Sequence, residues 1–492
     1  MNTFNGTETT TRKRGSLLNA DQLSAANNIR LNRQAKEPLY AQLYDALRSR
    51  IVNGQLAPDR RLPAVRVLAK ALGINPGTVV SAYRELEKNG YIISRRGSGS
   101  FVQEGMADSL ATDQAQIPYL PRLDATDANQ HFIDFASYSL NPDRFSTSTF
   151  KQAVNHILDR DGGHAFVIED EMGYYPLRES LAAELAQRWI KTKPQNIQIT
   201  SGSQQAIDIC ARALIRQGDC VMVQNPTYPG AVDAFKACGA KVIGLNFNHG
   251  TLIDELEKML KIIQPKILYL MPNLQNPTTN SLSRLEKARI IGLAHRHDFW
   301  IIEDDYGSGL AYDSNTLHTM KEHDPDDRII YVRSLSQIFA SGMRLGYLVS
   351  PTRLIESFAG VKRIADISTS GLSQRIFDYY LRNLLWRKHL ASLKLAYHQQ
   401  YQAASKLLAE SFGDRLSWQP ADGAVWFWLQ LNLSMTAAEF CTAAQNLGVL
   451  IENGDRYYIH AAPHNRIRLS LAPVKEADIA VGIKRLAELV SQ

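Results

Sequence analysis

The chain has 492 residues, is 45% apolar, and carries 55 Lys and Arg against 49 Asp and Glu. That length exceeds one ordinary domain and gives room for two or three, each with a sizeable core. No segment approaches the roughly twenty apolar residues of a membrane span. Met1 to Ser16 lacks the apolar stretch of a secretory signal. Four cysteines without C-x-x-C spacing are too few for a disulfide framework. A cytoplasmic protein is therefore expected, with its cysteines acting as small core hydrophobes and with no metal site. Positive charge is concentrated early: residues 1–104 hold 16 Lys and Arg against 8 Asp and Glu, leaving 39 against 41 for the rest. A basic segment joined to a near-neutral remainder is the electrostatic footprint of a nucleic-acid module.

In chain order, residues 1–35 are polar and rich in Asn and Thr, and read as a disordered arm. Residues 36–103 form a unit. Leu39, Leu43, Leu47 and Ile51 recur at helical spacing, and Gly54 closes that helix. A short helix runs from Ala64 to Leu72 and stops at Gly73. Asn75 caps a third, with Pro76 at its first position, where a missing N–H costs nothing. It continues through Thr78, Val79, Tyr83 and Leu86 to Gly90. Tyr91 to Ser94, a turn over Arg95, Arg96, Gly97, Ser98 and Gly99, and Ser100 to Val102 read as a hairpin. Three helices and a hairpin predict a winged helix-turn-helix. Residues 104–131 lack a sustained period and read as a linker. From 132 to 492, helical stretches alternate with apolar runs such as Ile197 to Thr200, Val221 to Val223, Ile267 to Leu270 and Trp300 to Ile302. That alternation predicts an α/β domain with a mostly parallel sheet.

The first unit resembles the GntR-type winged helix. The resemblance rests on Pro38-Leu39-Tyr40-x-Gln42-Leu43, Leu62-Pro63-x-x-Arg66, Leu68-Ala69, Leu72-Gly73, Thr78-Val79, Ala82-Tyr83 and Gly90-Tyr91 leading to Arg95-x-Gly97-Ser98-Gly99. It implies double-stranded DNA as partner, with Arg66 and the wing residues Arg95 and Arg96 on phosphate or in the minor groove. In a helix-turn-helix the start of the second helix reaches base edges. Here that end offers Asn75, Gly77 and Thr78, small groups able to approach closely, at a helix N-terminus suited to phosphate. Many relatives carry Ser-Arg where this chain has Asn75-Pro76-Gly77, so one base-reading arginine is absent.

Several segments of the second unit resemble fold-type I aminotransferases, whose cofactor is pyridoxal phosphate (PLP). Thr200-Ser201-Gly202-Ser203-Gln204-Gln205 follows a strand and opens a helix, a turn fit to hold a phosphate. Asn225-Pro226-Thr227-Tyr228-Pro229 is similar to the loop whose aromatic residue stacks on the pyridine ring, which implies that role for Tyr228. Asn276-Pro277-Thr278 resembles the motif whose asparagine bonds the cofactor phenol oxygen, with Thr279 in place of the usual glycine. Glu303-Asp304-Asp305-Tyr306 resembles the strand-end acid that pairs with the pyridine nitrogen, which implies Asp304, with Asp305 as the alternative, and Tyr306 beside it. Arg344 matches the phosphate-binding arginine, and Arg468 the arginine that grips a ligand carboxylate with its planar fork.

The combination resembles the MocR subfamily of GntR regulators over about residues 37–490. The resemblance implies a fold-type I domain with a mainly parallel sheet and a smaller C-terminal α+β subdomain, a head-to-tail homodimer and a small-molecule effector. Tyr174, in Gly173-Tyr174-Tyr175-Pro176-Leu177-Arg178, either reaches a neighbour's pocket or packs within its own chain.

One position departs from the enzymes. The stretch Ser334-Leu335-Ser336-Gln337, followed by Gly342-Met343-Arg344-Leu345-Gly346, matches the segment that carries the cofactor lysine, but the lysine slot holds Gln337. A carboxamide nitrogen is delocalised into its carbonyl and cannot form a Schiff base, whereas a lysine amine can. Lys362 is the nearest later lysine and lies outside the motif. The expectation is a DNA-binding regulator, not an enzyme. Its pocket, formed by Ser203, Gln204, Tyr228, Asn276, Asp304, Tyr306, Gln337 and Arg344, would hold PLP or a PLP adduct non-covalently. The competing readings are a pocket turned to another phosphorylated or carboxylated ligand, a fold that serves only as a dimerisation scaffold, and a PLP-dependent aminotransferase with an accessory DNA-binding domain.

Overall fold

The computed structural model describes residues 29, 31–32, 38–52, 56, 60–88, 91–95, 99–102, 132–246, 251–312, 317–336, 338–423, 425–459 and 462–490. The arm, apart from residues 29 and 31–32, and the linker lie outside the described residues, as do Arg96, Gly97 and Gln337. The chain divides into two compact units, Met1–Gln116 and Ile117–Gln492.

In the first unit, helices α1 (Leu39–Val52), α2 (Val65–Leu72) and α3 (Pro76–Lys88) precede strands β1 (Ile92–Arg95) and β2 (Gly99–Val102). The strands pair antiparallel, from Ile92 opposite Val102 to Arg95 opposite Gly99. Leu43, Leu47 and Ile51 of α1 meet Leu68, Val79, Leu86, Ile92 and Val102 in one buried cluster. Each such side chain contributes about 1.5–3 kcal/mol on burial, enough in sum to hold a small module. The buried Tyr83 donates its hydroxyl to the Pro63 carbonyl at 2.8 Å, and Arg48 Nε donates to the Tyr91 hydroxyl at 2.9 Å. Both tyrosines therefore place their polar ends without loss.

The second unit is built on β4 (Ile197–Thr200), β5 (Cys220–Asn225), β6 (Lys241–Asn246), β7 (Ile267–Leu270), β8 (Trp300–Asp304), β9 (Ile329–Ser334) and β10 (Gly346–Val349). They form one seven-stranded sheet in the order β4-β10-β9-β8-β7-β5-β6. Pairings among β6, β5, β7, β8 and β9 are parallel, and β10 runs antiparallel between β9 and β4. Alternate residues feed opposite faces, with Val221 and Val223 in one core and Met222 in another. Burial on both faces explains why these strands read as unbroken apolar runs. In such sheets ligands sit beyond the carboxyl ends of the parallel strands. Segments at that end supply the site.

A smaller antiparallel sheet, order β11-β12-β15-β14, comprises β11 (Leu416–Ser417), β12 (Trp426–Leu431), β14 (Glu452–Asn453) and β15 (Arg466–Ser470). This is the expected C-terminal α+β subdomain. Its partner elements were only partly legible. The short β3 (Ile133–Asp134), at the start of the unit, pairs in parallel with β13 (Val449–Leu450), over three hundred positions later.

Candidate functional site

The end of β4 turns sharply at Gly202, whose φ is +96°, and α4, counted here as the helix Ser203–Leu214, begins there. A side chain at Gly202 would be strained at that φ and would also stand 3.0 Å from Arg344 Nη2. First-turn N–H groups of a helix have no intrahelical acceptors, so this turn offers donors to an anion. Arg344 leans over it: Nη2 donates to the Ser201 carbonyl at 2.8 Å and Nη1 to the Ser336 hydroxyl at 3.3 Å. Ser203, Gln204 and Arg344 are thereby brought to one cup.

The cup is braced from behind. Ser201 N donates to Gln205 Oε1 at 2.8 Å, and that oxygen also accepts from Lys362 Nζ at 2.9 Å. Lys362 is fully buried and donates further to Asp366 Oδ1 at 2.5 Å and Thr369 Oγ1 at 3.0 Å. Burial pushes its pKa down against the opposing pull of Asp366. Lys362 is thus a fixed structural cation rather than a substitute for the missing lysine amine.

Across the pocket, Tyr228 caps the helix Pro229–Ala237. Burial pushes its hydroxyl up to about 12, with Asp304 raising and Arg344 lowering it, so it lies within electrostatic reach of both. Gln204 Nε2 bonds the Gly230 carbonyl at 2.8 Å, tying cup to loop. Asn276 is buried beside Met271, its backbone N–H 3.4 Å from the sulfur. Thr279, in the usual glycine position, adopts φ +64°, a conformation rare for a β-branched residue. The loop keeps the shape that glycine would favour.

The two strand-end acids separate. Asp304 accepts from the Tyr269 hydroxyl at 2.8 Å through Oδ2, while its buried Oδ1 has no partner. Burial, opposed by that hydrogen bond, raises its pKa to about 7. Asp305 instead binds Arg188 at 2.9 Å and Arg333 at 2.6 Å, with Tyr331 and Ser308 also donating. Asp305 Oδ1 is likewise unpartnered, but its Oδ2 is held by two guanidinium groups, whereas Asp304 faces no cation among the described residues. Sequence spacing alone left these two alternatives open.

Tyr306 is half-buried, with a buried, unpartnered hydroxyl and its ring 5.8 Å from that of Trp426. Arg468 is fully buried, 4.8 Å over Trp426 and 4.4 Å over Tyr138. Its Nη1 lies 3.4 Å from Glu452, and Nε and Nη2 have no partner. Those two nitrogens form the flat edge that grips a carboxylate with two parallel bonds. Tyr138, Glu452 and Tyr457, which support Arg468 through a shared hydrogen-bond cluster, were not found by sequence reasoning. They sit far from any motif, and no spacing links them. The Tyr174 N–H donates to Gln374 at 2.7 Å, and Arg375 lies 4.2 Å over its ring.

Buried polar groups are nearly always hydrogen-bonded, so a cluster of orphans marks a missing partner. Asp304 Oδ1, Asn276 Oδ1, Tyr306 Oη and the Arg468 Nε–Nη2 edge are four such orphans. A protonated pyridine nitrogen complements Asp304 Oδ1, a phenol hydroxyl complements Asn276 Oδ1 and Tyr306 Oη, a carboxylate complements the Arg468 edge, and the cup complements a phosphate. The residues present fit the cofactor.

In the first unit, Asn75 Oδ1 accepts from Gly77 N at 2.8 Å, and Asn75, Pro76 and Gly77 are exposed at the start of α3, with Thr78 half-buried. Arg66 on α2 is exposed. Arg95 ends β1, and its side chain lies outside the described residues. The exposed Arg61 bridges to Phe101, and a Cβ at Gly99 would meet its guanidinium at 2.9 Å. It is a further cation at the wing base that the sequence reading passed over.

Residues 131–486 match the family described as aminotransferase class I and II, and residues 39–102 match bacterial regulatory proteins of the gntR family. The chain is 26% identical to the probable rhizopine catabolism regulatory protein MocR of Rhizobium meliloti, covering 93% of this chain and 94% of that one. It is 29% identical to aromatic-amino-acid aminotransferase 1 of Thermococcus litoralis, over 71% of this chain and 86% of that one. The structure of Pyrococcus horikoshii kynurenine aminotransferase, solved in complex with PMP, aligns with a TM-score of 0.70 at 28% identity, covering 74% of this chain and 91% of that one.

Proposed function

We propose, from the premise that this chain belongs to the class I and II aminotransferase family and joins it to a gntR-type DNA-binding domain as the MocR regulators do, that its pocket senses PLP or a PLP adduct held non-covalently. The observation that carries this reading is the set of buried orphan atoms on the cofactor-motif residues, in a sequence with glutamine at the lysine position. Asp304 would face the ring nitrogen, Tyr228 the ring face, Asn276 and Tyr306 the phenol oxygen, and Ser203, Gln204 and Arg344 the phosphate. Arg468 would hold the carboxylate of an amino-acid ligand. When bound, the cofactor would supply an electrophilic carbonyl on an electron-withdrawing ring.

What the chain's own residues do is bind and orient. Asp304 keeps or releases a proton at Oδ1 according to whether a cation lies against it. Lys362 and Gln205 keep the cup rigid through Ser201. Without an amine at position 337 there is no group to capture the cofactor covalently, so occupancy follows its free concentration, which suits a sensor. The ligand would act through different affinities for DNA-competent and DNA-incompetent states. That the solved relative holds PMP in this fold supports the pocket assignment. The exposed apolar run Phe166, Val167 and Ile168, at 68%, 57% and 72% exposure, supports a homodimer, because monomers rarely leave such patches open. A cytoplasmic setting follows from the DNA partner.

The test against the catalytic reading is a transaminase assay on the purified chain with excess PLP and a panel of amino donors. No turnover above free PLP is expected; sustained turnover overturns the reading.

A further inference from the structure

A second cavity of about 360 Å³ lies in the large unit, walled by Leu181, Leu335, Phe377 and Trp386. Successive strand residues point to opposite faces, so Asp305 turns away from the face that Asp304 serves. Arg188 and Arg333, which both line this cavity, share that single carboxylate. Asp305 neutralises one guanidinium and leaves the other without a carboxylate of its own. The remaining acids on the lining are engaged elsewhere: Glu184 lies 3.5 Å from Arg387, and Glu322 lies 2.9 Å from His318.

Arg333 is the informative group. It is only 5% exposed, and all its hydrogen bonds run through Nη1, to Asp305, Ser308 and Tyr331. Nε and Nη2 have no partner among the described residues. Nη2 lies over Gly309, where a Cβ would stand 2.7 Å away, so the glycine leaves room for the guanidinium. A second lining group, the buried Thr319 hydroxyl, is also unpartnered. A nine-tenths buried guanidinium with its two-donor edge open, above apolar walls, is a receptor for a planar anion carried on an apolar body.

We propose that this cavity binds a small organic carboxylate with an apolar body, its carboxylate on the Nε–Nη2 edge of Arg333. The volume suits one ring and a short chain. The site is separate from the pocket of Asp304 and Arg468 and does not rest on the cofactor reading. Its occupancy would draw Arg333 away from Asp305, one residue from Asp304, and so give a second ligand a route to the first pocket.

The probe is 3-phenylpropanoate, titrated into the full-length chain and followed by calorimetry and by tryptophan fluorescence. The expected result is one saturable site per chain. The neutral 3-phenylpropanamide should bind at least about tenfold more weakly, the loss typical of a charge-assisted pair. Arg333→Gln should cause a similar loss. Leu390→Trp, which fills the cavity and leaves the Arg333–Asp305 pair intact, should also do so and decides the matter if Arg333→Gln fails to fold. No saturable binding, equal binding of the amide, or loss in Arg468→Gln instead of the cavity variants overturns the proposal.

Discussion

Asp304 and Asp305 are neighbours in the chain, both buried, and titrate in opposite directions. Burial pushes Asp304 up to about 7, because only one hydrogen bond, from Tyr269, favours its charge. Burial acts on Asp305 as well, but Arg188 and Arg333 outweigh it and hold that carboxyl down to about 2. The sign of the consequence follows. Between its usual 3.8 and about 7, folded Asp304 keeps a proton that the unfolded chain has released. Stability should therefore fall as pH rises through that window, by up to about 1.4 kcal/mol per unit. Glu303, also raised to about 7 by burial, adds a parallel slope. In the ligand-free protein, Asp304→Asn should remove roughly half of the decline in denaturant midpoint between pH 5 and 7. An unchanged slope would show that Asp304 is already ionised. The same variant should weaken PLP binding by about tenfold or more, since it replaces a charge partner with a neutral amide.

At the scale of elements, α2 and α3 present the groups expected to face DNA for local reasons. Asn75 caps α3 with its own side chain, and that leaves Gly77 and Thr78 at a helix start with little side-chain bulk. Arg66 projects from the exposed face of an α2 whose other face buries Leu68 and Ala69. Arg66→Ala should lower affinity for duplex DNA and flatten the dependence of log affinity on log salt by about 0.9, the signature of one lost phosphate contact. Unchanged affinity and slope would remove Arg66 from the interface. Elements of this kind were legible in the sequence because their signals are local: a cap, a proline, a glycine stop, a helical period. The strands β4, β5, β7 and β8 were legible for the same reason, as short apolar runs between helices. What escaped was non-local. The pairing of β3 with β13 joins residues more than three hundred positions apart. The Tyr138–Glu452–Tyr457 support of Arg468 is assembled from three segments with no motif among them. The choice between Asp304 and Asp305 turned on which side of a strand each faces, and that depends on register.

At the scale of the whole molecule, a gntR-type unit and an aminotransferase-family unit share one chain, and the second carries a set of buried polar atoms without partners. Among the described residues no helix is long and apolar enough to cross a membrane, and no group of side chains is suited to a metal ion. Communication between the units needs two states that the ligand distinguishes, whatever path it takes. The account depends most on non-covalent retention of the cofactor in a pocket without its lysine. Titration of the purified full-length chain with PLP, followed by cofactor absorbance and then by borohydride treatment and mass measurement, tests this directly. Saturable binding with no mass added to the chain is the predicted result. Fixation of PLP to any lysine, or the absence of saturable binding, would contradict the account.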